Sequence, residues 1–321
     1  SDVKNGWEGD GNIDTDPLFV DAANGDYSLL DYSPAIGTGT ATGAPSTDIN
    51  GTARPTPSGS SPDMGAYENS NASPVPTVSS VTSPNTDGYF STGDAISIYV
   101  FFSEAVTVTG TPQLTLETGS TDAVADYAGA LTGVNALIFS YTVAAGETSS
   151  DLDYASTSAL ALNGGTIVDS DGGSAYLRLA TPGASGSLGA DKALVVDTET
   201  PTTPSGLAAA EGNTSITLTW TANSESDLAS YKVYGGTSAS PTTLLSTITA
   251  GTETYTQTGL TNGTIYYYNV SAVDNAGNES EITSDVSTSP KAQKYTVKTD
   301  GTGDYTVIQT AIDATSDGDT V

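Results

Sequence analysis

Cysteine and histidine are both absent from this chain of 321 residues. No disulfide can form, and the usual general base, the Ser-His-Asp triad and the commonest transition-metal ligand are excluded. Positive charge is scarce: 8 Lys and Arg stand against 38 Asp and Glu, for a net charge of −30. Such a chain repels nucleic-acid phosphates and anionic lipid, so no nucleic-acid partner is expected. No apolar run approaches the ~18 residues of a spanning helix, so no membrane insertion is expected. Long helical patterns are nearly missing. Hydrophobic residues make up 36%, low for one large core but enough for several small ones. The length suggests about two to three domains. The chain opens on Ser1 with no signal-peptide pattern, which suggests a processed product or a piece of a longer polypeptide.

What is present is period-two alternation. Ser215 to Trp220 places Ile216, Leu218 and Trp220 on one face and Ser215, Thr217 and Thr219 on the other, the pattern of a half-buried strand. Tyr231 to Tyr234 alternates likewise, as does Tyr266 to Ala272 with Tyr266, Tyr268, Val270 and Ala272 inward. Gly235-Gly236, Asn262-Gly263 and Asn275 to Asn278 punctuate these runs as turns. Earlier strands are Ala95 to Phe102, Gln113 to Glu117 with Leu114 and Leu116 inward, Leu137 to Val143, and Ala193 to Asp197. Short strands at this spacing predict an all-β fold of sandwiches in tandem.

Several runs resemble known families. Leu207, Trp220, Tyr231 to Tyr234, Leu260 and Tyr266 resemble a fibronectin type III domain over 206–290. The resemblance implies a core Trp220, a tyrosine corner at Tyr266, and a spacer or binding surface. Phe102 to Val106, Asp151 to Tyr154 and Leu160 to Gly165 resemble a bacterial Ig-like module of surface proteins over 78–197. The Asp16-Pro17-Leu18-Phe19 strand, Ser33 to Ile36 and a closing Asp63 to Glu68 strand make 1–70 similar to the C-terminal coils of a parallel β-helix. Residues 293–321 resemble the N-terminal cap of a pectin lyase-like β-helix. They offer a Tyr295 to Lys298 strand, a Gly301 to Tyr305 turn, a helix with a Thr306/Gln309 capping box, and a further strand from Asp317. Residues 71–77 and 198–205 read as linkers. Both extremities are then partial coils that need a neighbour to bury their faces.

The acidic surplus reads either as a soluble surface with a cation atmosphere or as discrete Ca²⁺ sites. The candidates are Asp169 with Asp171, the alternating Asn12, Asp14 and Asp16, and Asp274 with Asn278, the last pair near Asn223 and Asp227. For each group a plain alternative stands beside the metal: a tight β-turn, polar capping of a terminal coil, or Asx-turns. Of the two tryptophans, Trp220 is expected in the core, whereas Trp7 packs on a neighbouring coil or stacks on a sugar. Tyr267 is expected on the outer face, and Asn262-Gly263-Thr264 matches an N-glycosylation acceptor. With 38 acids some pair always meets the spacing of glycoside hydrolysis, so no catalytic residue is assigned.

The expectation is an extracellular prokaryotic protein, secreted or on the cell surface, and not an enzyme. It would be a spacer, surface-layer or filament subunit, self-associating head to tail through its β-helix ends or packing on neighbouring domains of the same polypeptide. Two further possibilities are a non-catalytic accessory region of a secreted polysaccharide lyase or hydrolase, and a carbohydrate-binding adhesin with glycan partners.

Overall fold

The computed structural model describes residue 13 and residues 15–315. The chain divides into two compact units, Ser1–Asp197 and Thr198–Val321, and is nearly all β as its alternation predicts.

The first unit opens with an antiparallel hairpin, β1 (Phe19–Asp21) and β2 (Asp26–Leu29), turned at Gly25, whose φ of 87° suits glycine. The stretch from 30 to 77 carries only isolated bridges, Thr47 with Ala53 and Thr77 with Tyr176. Its apolar centre is small: Leu29, Ala35 and Ile36 are buried, with Ile13, Phe19 and Met64 packed against them. Carboxylates supply the rest. Glu68 accepts from the Asp63 amide at 2.9 Å and the Thr56 amide at 3.0 Å, and its carboxylate lies 2.8 Å from Arg54 Nε. Asp63 accepts from Gly37 at 2.7 Å and Asn69 at 2.5 Å. Asp48 accepts from Asn50, Thr52 and Glu68 at 2.8, 2.8 and 3.1 Å. The expected Asp63 to Glu68 strand is therefore corrected to irregular backbone. The Asp63 and Glu68 amides that a ladder would use are taken by carboxylates.

The rest of the unit is a sandwich. Its strands are β3 (Val78–Thr82), β4 (Gly88–Phe90), β5 (Ala95–Phe102), β6 (Thr107–Thr109), β7 (Gln113–Leu116), β8 (Ala123–Ala130), β9 (Ala136–Thr142), β10 (Thr148–Ser149), β11 (Leu160–Ala161), β12 (Thr166–Val168) and β13 (Leu194–Asp197). The main sheet runs β11-β7-β8-β9-β5-β3, and β10-β13-β4 and β12-β6 complete the structure. The inward set of each strand is buried: Ile96, Ile98 and Val100 from β5, Leu114 and Leu116 from β7, Leu137, Phe139 and Tyr141 from β9. Burial of each such side chain contributes about 1.5–3 kcal/mol. A single-turn helix, α1 (Leu188–Asp191), follows Ser187, whose hydroxyl accepts the Ala190 amide at 3.2 Å.

Residues 31–76 lean on this sandwich. Tyr32 stacks on Tyr176, centroids 4.3 Å apart at 24°. The Val75 amide donates to Asp31 O at 3.0 Å, and the Tyr176 amide donates to Pro76 O at 2.7 Å. The 71–77 stretch is thus hydrogen-bonded on both sides, with Val75 buried.

The second unit contains β14 (Ser205–Gly212), β15 (Ser215–Thr221), β16 (Leu228–Gly236), β17 (Leu244–Thr249), β18 (Thr254–Thr258), β19 (Tyr266–Asp274) and β20 (Val286–Thr288). They form two antiparallel sheets, β14-β15-β18 and β17-β16-β19-β20. Between them lie Ile216, Leu218, Trp220, Tyr231, Val233, Leu260, Tyr268, Val270 and Ala272. Trp220 meets Tyr231 edge to face at 5.3 Å. Gly235 permits close approach: a Cβ there would sit 2.6 Å from Leu245 Cδ1 and 2.7 Å from Tyr268 Cδ1. The Tyr266 hydroxyl accepts the Thr261 amide at 3.2 Å, the upstream backbone contact of a tyrosine corner.

Beyond the second sandwich, Val297 pairs in parallel with Tyr305, and Tyr295 meets Tyr305 edge to face at 5.5 Å. The helix α2 (Ile308–Asp313) is preceded by Val307 at its N-cap, with no side-chain cap. The capping box expected from Thr306 and Gln309 is therefore corrected. The helix begins one residue later, so Gln309 falls at its second position and donates forward to Asp313 at 2.7 Å. The strand expected from Asp317 lies outside the described residues.

Candidate functional site

The acidic candidates fall into separate local arrangements. Asp169 follows β12 and is buried; its Oδ1 accepts the Asp171 amide at 2.8 Å and the Gly173 amide at 2.7 Å. A Cβ on Gly173 would meet Asp169 Oδ2 at 2.4 Å, so the carboxylate needs glycine there. This is an Asx-type turn. The fold adds Glu104, from the loop after β5. Burial pushes its carboxyl up, and the charges of Asp169 and Asp171 push it further. No local pattern marks this grouping, since Glu104 comes near Asp169 only through the packing of the sandwich.

Asp274 ends β19 and is buried, with Oδ1 accepting the Asn278 amide and Oδ2 its side-chain Nδ2, both at 2.9 Å. The Asn275 amide donates to Asp227 O at 2.9 Å, and the Asp227 and Asp274 carboxylates come within 4.8 Å. Asp274, Asn278 and Asp227 thus share one end of the second sandwich. Asn223 is engaged elsewhere: its amide donates to Tyr231 Oη at 2.8 Å, and its Nδ2 to Thr202 O at 2.6 Å. Glu225 joins that clasp, accepting the Thr202 hydroxyl at 2.6 Å and amide at 2.7 Å. These bonds hold its carboxyl down at about 2.

Asp16 accepts the Leu18 amide at 2.9 Å, a local turn; Asn12, Asp14 and Trp7 lie outside the described residues. Tyr267 is half-buried. Asn262, the possible glycan acceptor, accepts the Thr214 amide at 3.0 Å and donates to Asn213 at 2.9 Å. Its amide therefore pins two loops together.

A groove that the sequence did not announce lies in the first unit. It is about 360 Å³ and is lined by the stacked Tyr32 and Tyr176, by Arg178 and by Val78 to Ser80 of β3. Burial pushes the Tyr32 hydroxyl up, Tyr176 adds to this, and the nearby Arg178 charge opposes it. A second hollow of about 670 Å³ shares Ser79, Ser80 and Gly186 with the first and runs on to Thr82, Ser185 and Asp191. Tyr32 and Tyr176 are far apart in sequence and neither sits in a strand, so no period could pair them.

With the sandwich geometry in place, the family comparison falls on the second unit. Residues 202–289 match the model of the fibronectin type III domain. That segment is a fibronectin type III domain. Exoglucanase B of Cellulomonas fimi is 44% identical over 111 residues, 33% of this chain and 9% of that protein. Chitinase A1 of Niallia circulans is 39% identical over 99 residues, 30% of this chain and 13% of that protein. The chain therefore spans only 9–13% of the length of these curated relatives. A solved Fn3-like protein from Clostridium thermocellum is 33% identical, covers 30% of this chain and 99% of its own, and superposes with a TM-score of 0.26. The fibronectin type III domain is a non-catalytic module, and its tyrosine corner and Trp220 core are the features just described. Among the described residues, no helix is long and apolar enough to cross a membrane.

Proposed function

We propose that this chain is a non-catalytic accessory region of a secreted bacterial enzyme that acts on polysaccharides. The observation that carries the reading is the 44% identity of a 111-residue stretch to exoglucanase B, of which it is 9%. A module that forms so small a part of an enzyme supplies spacing or attachment, since fold alone brings no chemistry. A folded sandwich spans a fixed distance in a way that a disordered linker of equal length does not. The test is the complete gene: a glycoside hydrolase or polysaccharide lyase module on the same polypeptide supports the reading, and a gene made only of repeated sandwiches removes it.

A second reading, a surface or filament subunit, draws on the C-terminal segment. Val307, Ile308 and Ile312 are 55%, 64% and 49% exposed on and before α2, an uncovered apolar face suited to a β-helix cap. Stacking it on residues 1–70 of the next copy would give a heterologous contact and an open filament. Sedimentation of the concentrated protein with and without Ca²⁺ tests this, and dispersed monomers in both conditions refute it.

A further inference from the structure

We propose that the groove between β3 and residues 176–191 binds a neutral oligosaccharide. The inference rests on the polysaccharide reading above and names the surface that would hold the chain of sugars. Three observations carry it. First, the Tyr32–Tyr176 stack lines one hollow, with Tyr176 37% exposed. An aromatic ring offers a flat apolar face with a polar tip, which matches a pyranose with its C–H face and hydroxyl rim. Second, the two hollows, of about 360 and 670 Å³, share Ser79, Ser80 and Gly186 in their linings and so lie side by side along β3. Their walls are serine and threonine hydroxyls, backbone groups and small side chains, which donate and accept alike. Third, the two linings carry opposite charges. Arg178 in one is exposed and makes no ion pair among the described residues. Asp191 in the other accepts the Thr82 hydroxyl. A pure donor in one lining and a pure acceptor in the other serve a ligand whose hydroxyls play both parts.

Charge decides the class of sugar. With a net charge of −30, the protein repels an acidic polysaccharide, and one guanidinium does not reverse that field. A neutral chain meets no such barrier.

Isothermal calorimetry of the full chain with cellohexaose, chitohexaose and tetragalacturonate tests the proposal. Saturable binding of at least one neutral hexamer is expected, weakened about tenfold or more in Tyr176→Ala and in Arg178→Ala, where tenfold is 1.4 kcal/mol. Tyr176→Ala removes part of a packing contact, so Arg178→Ala serves as the partner variant: its side chain is exposed and its thermal melt should match the parent. The inference is overturned if neither neutral hexamer binds at millimolar concentration, if Arg178→Ala binds as tightly as the parent, or if tetragalacturonate binds more tightly than both. A gene that encodes a catalytic module together with a chain that binds no sugar would sink the groove and leave the accessory role standing.

Discussion

Leu29, Ala35, Ile36 and Pro62 are the only apolar side chains buried between residues 15 and 74 among those described, whereas β5, β7 and β9 of the adjoining sandwich bury whole rows. The first region is closed by Asp48, Asp63 and Glu68, whose oxygens collect the main-chain amides of Gly37, Thr56, Glu68 and Asn69. The second is closed by non-directional burial. The difference is one of tolerance. Apolar packing is spread over many contacts, so loss of one group is shared. A buried carboxylate is tolerated only while its bonds are made, and a missing partner exposes the cost of desolvating it. Lacking disulfides, the N-terminal region gains from the one surface within reach, through Tyr32 on Tyr176.

The largest expected effect breaks the sandwich side of this comparison. Phe139 is fully buried in the middle of the six-stranded sheet. Phe139→Ala should cost about 3–5 kcal/mol through lost transfer energy and the cavity left behind. The loss should appear as a lower thermal midpoint for the first unit. A shift of under a degree would mean that the core tolerates the hole and that burial is not what closes it.

Next is the polar side. The Glu68 side chain is 0% exposed and that of Arg54 9%. Glu68→Gln keeps the shape and removes the charge, and should cost about 1.5–3 kcal/mol, the worth of hydrogen bonds to a charged group. Amide exchange should accelerate over residues 31–69 while the sandwich strands keep their protection. Uniform acceleration through both would show that the two regions open as one cooperative unit.

How much of this was legible follows from the same contrast. Strands announced themselves where one face is buried and the other wet: Ile216, Leu218 and Trp220 in β15, and Tyr231 and Val233 in β16, sit inward as the alternation requires. Fold class was legible because period two survives in the sequence. Residues 63–68 misled because the strand was expected from a resemblance, while the Asp63 and Glu68 amides are captured by carboxylates. Thr306 misled because a one-residue shift of the helix start undoes a capping box. The Asp274–Asn278 hydrogen bond was legible as an Asx-turn because such turns are local. Glu104 beside Asp169, and Tyr32 on Tyr176, depend on long-range packing and leave no local pattern.

A smaller effect sharpens the comparison inside the fibronectin type III domain, where one polar bond sits on an apolar frame. Tyr266→Phe keeps the ring and removes the hydroxyl that accepts the Thr261 amide. A loss of about 0.5–1.5 kcal/mol is expected, read as an unchanged slope and a lower midpoint in urea. A loss as large as that of Phe139→Ala would place the corner, not the core, in charge of that domain.

The smallest effect concerns acid. The Thr202 hydroxyl and amide hold the Glu225 carboxyl down at about 2, whereas an unfolded glutamate titrates near ~4.3. A depressed folded value means that the unfolded chain binds the proton first. The stabilisation is therefore complete above ~4.3 and disappears as pH falls toward 2. Urea unfolding of the full chain, followed by Trp220 fluorescence in a Trp7→Phe background, should show the midpoint falling through that window. Glu225→Gln should flatten the fall without changing the core. The N-terminal region should respond less, because its acids oppose one another. Burial drives Asp63 up, even against the amides of Asn69 and Gly37, so protonating it on acidification relieves a cost. At Asp48 burial is outweighed by the amides of Glu68, Thr52 and Asn50, which leave it depressed, so protonating it removes support. If residues 31–69 instead lose amide protection before the Trp220 signal moves, the carboxylate network acts as a single acid-labile unit in which the Asp48 response dominates.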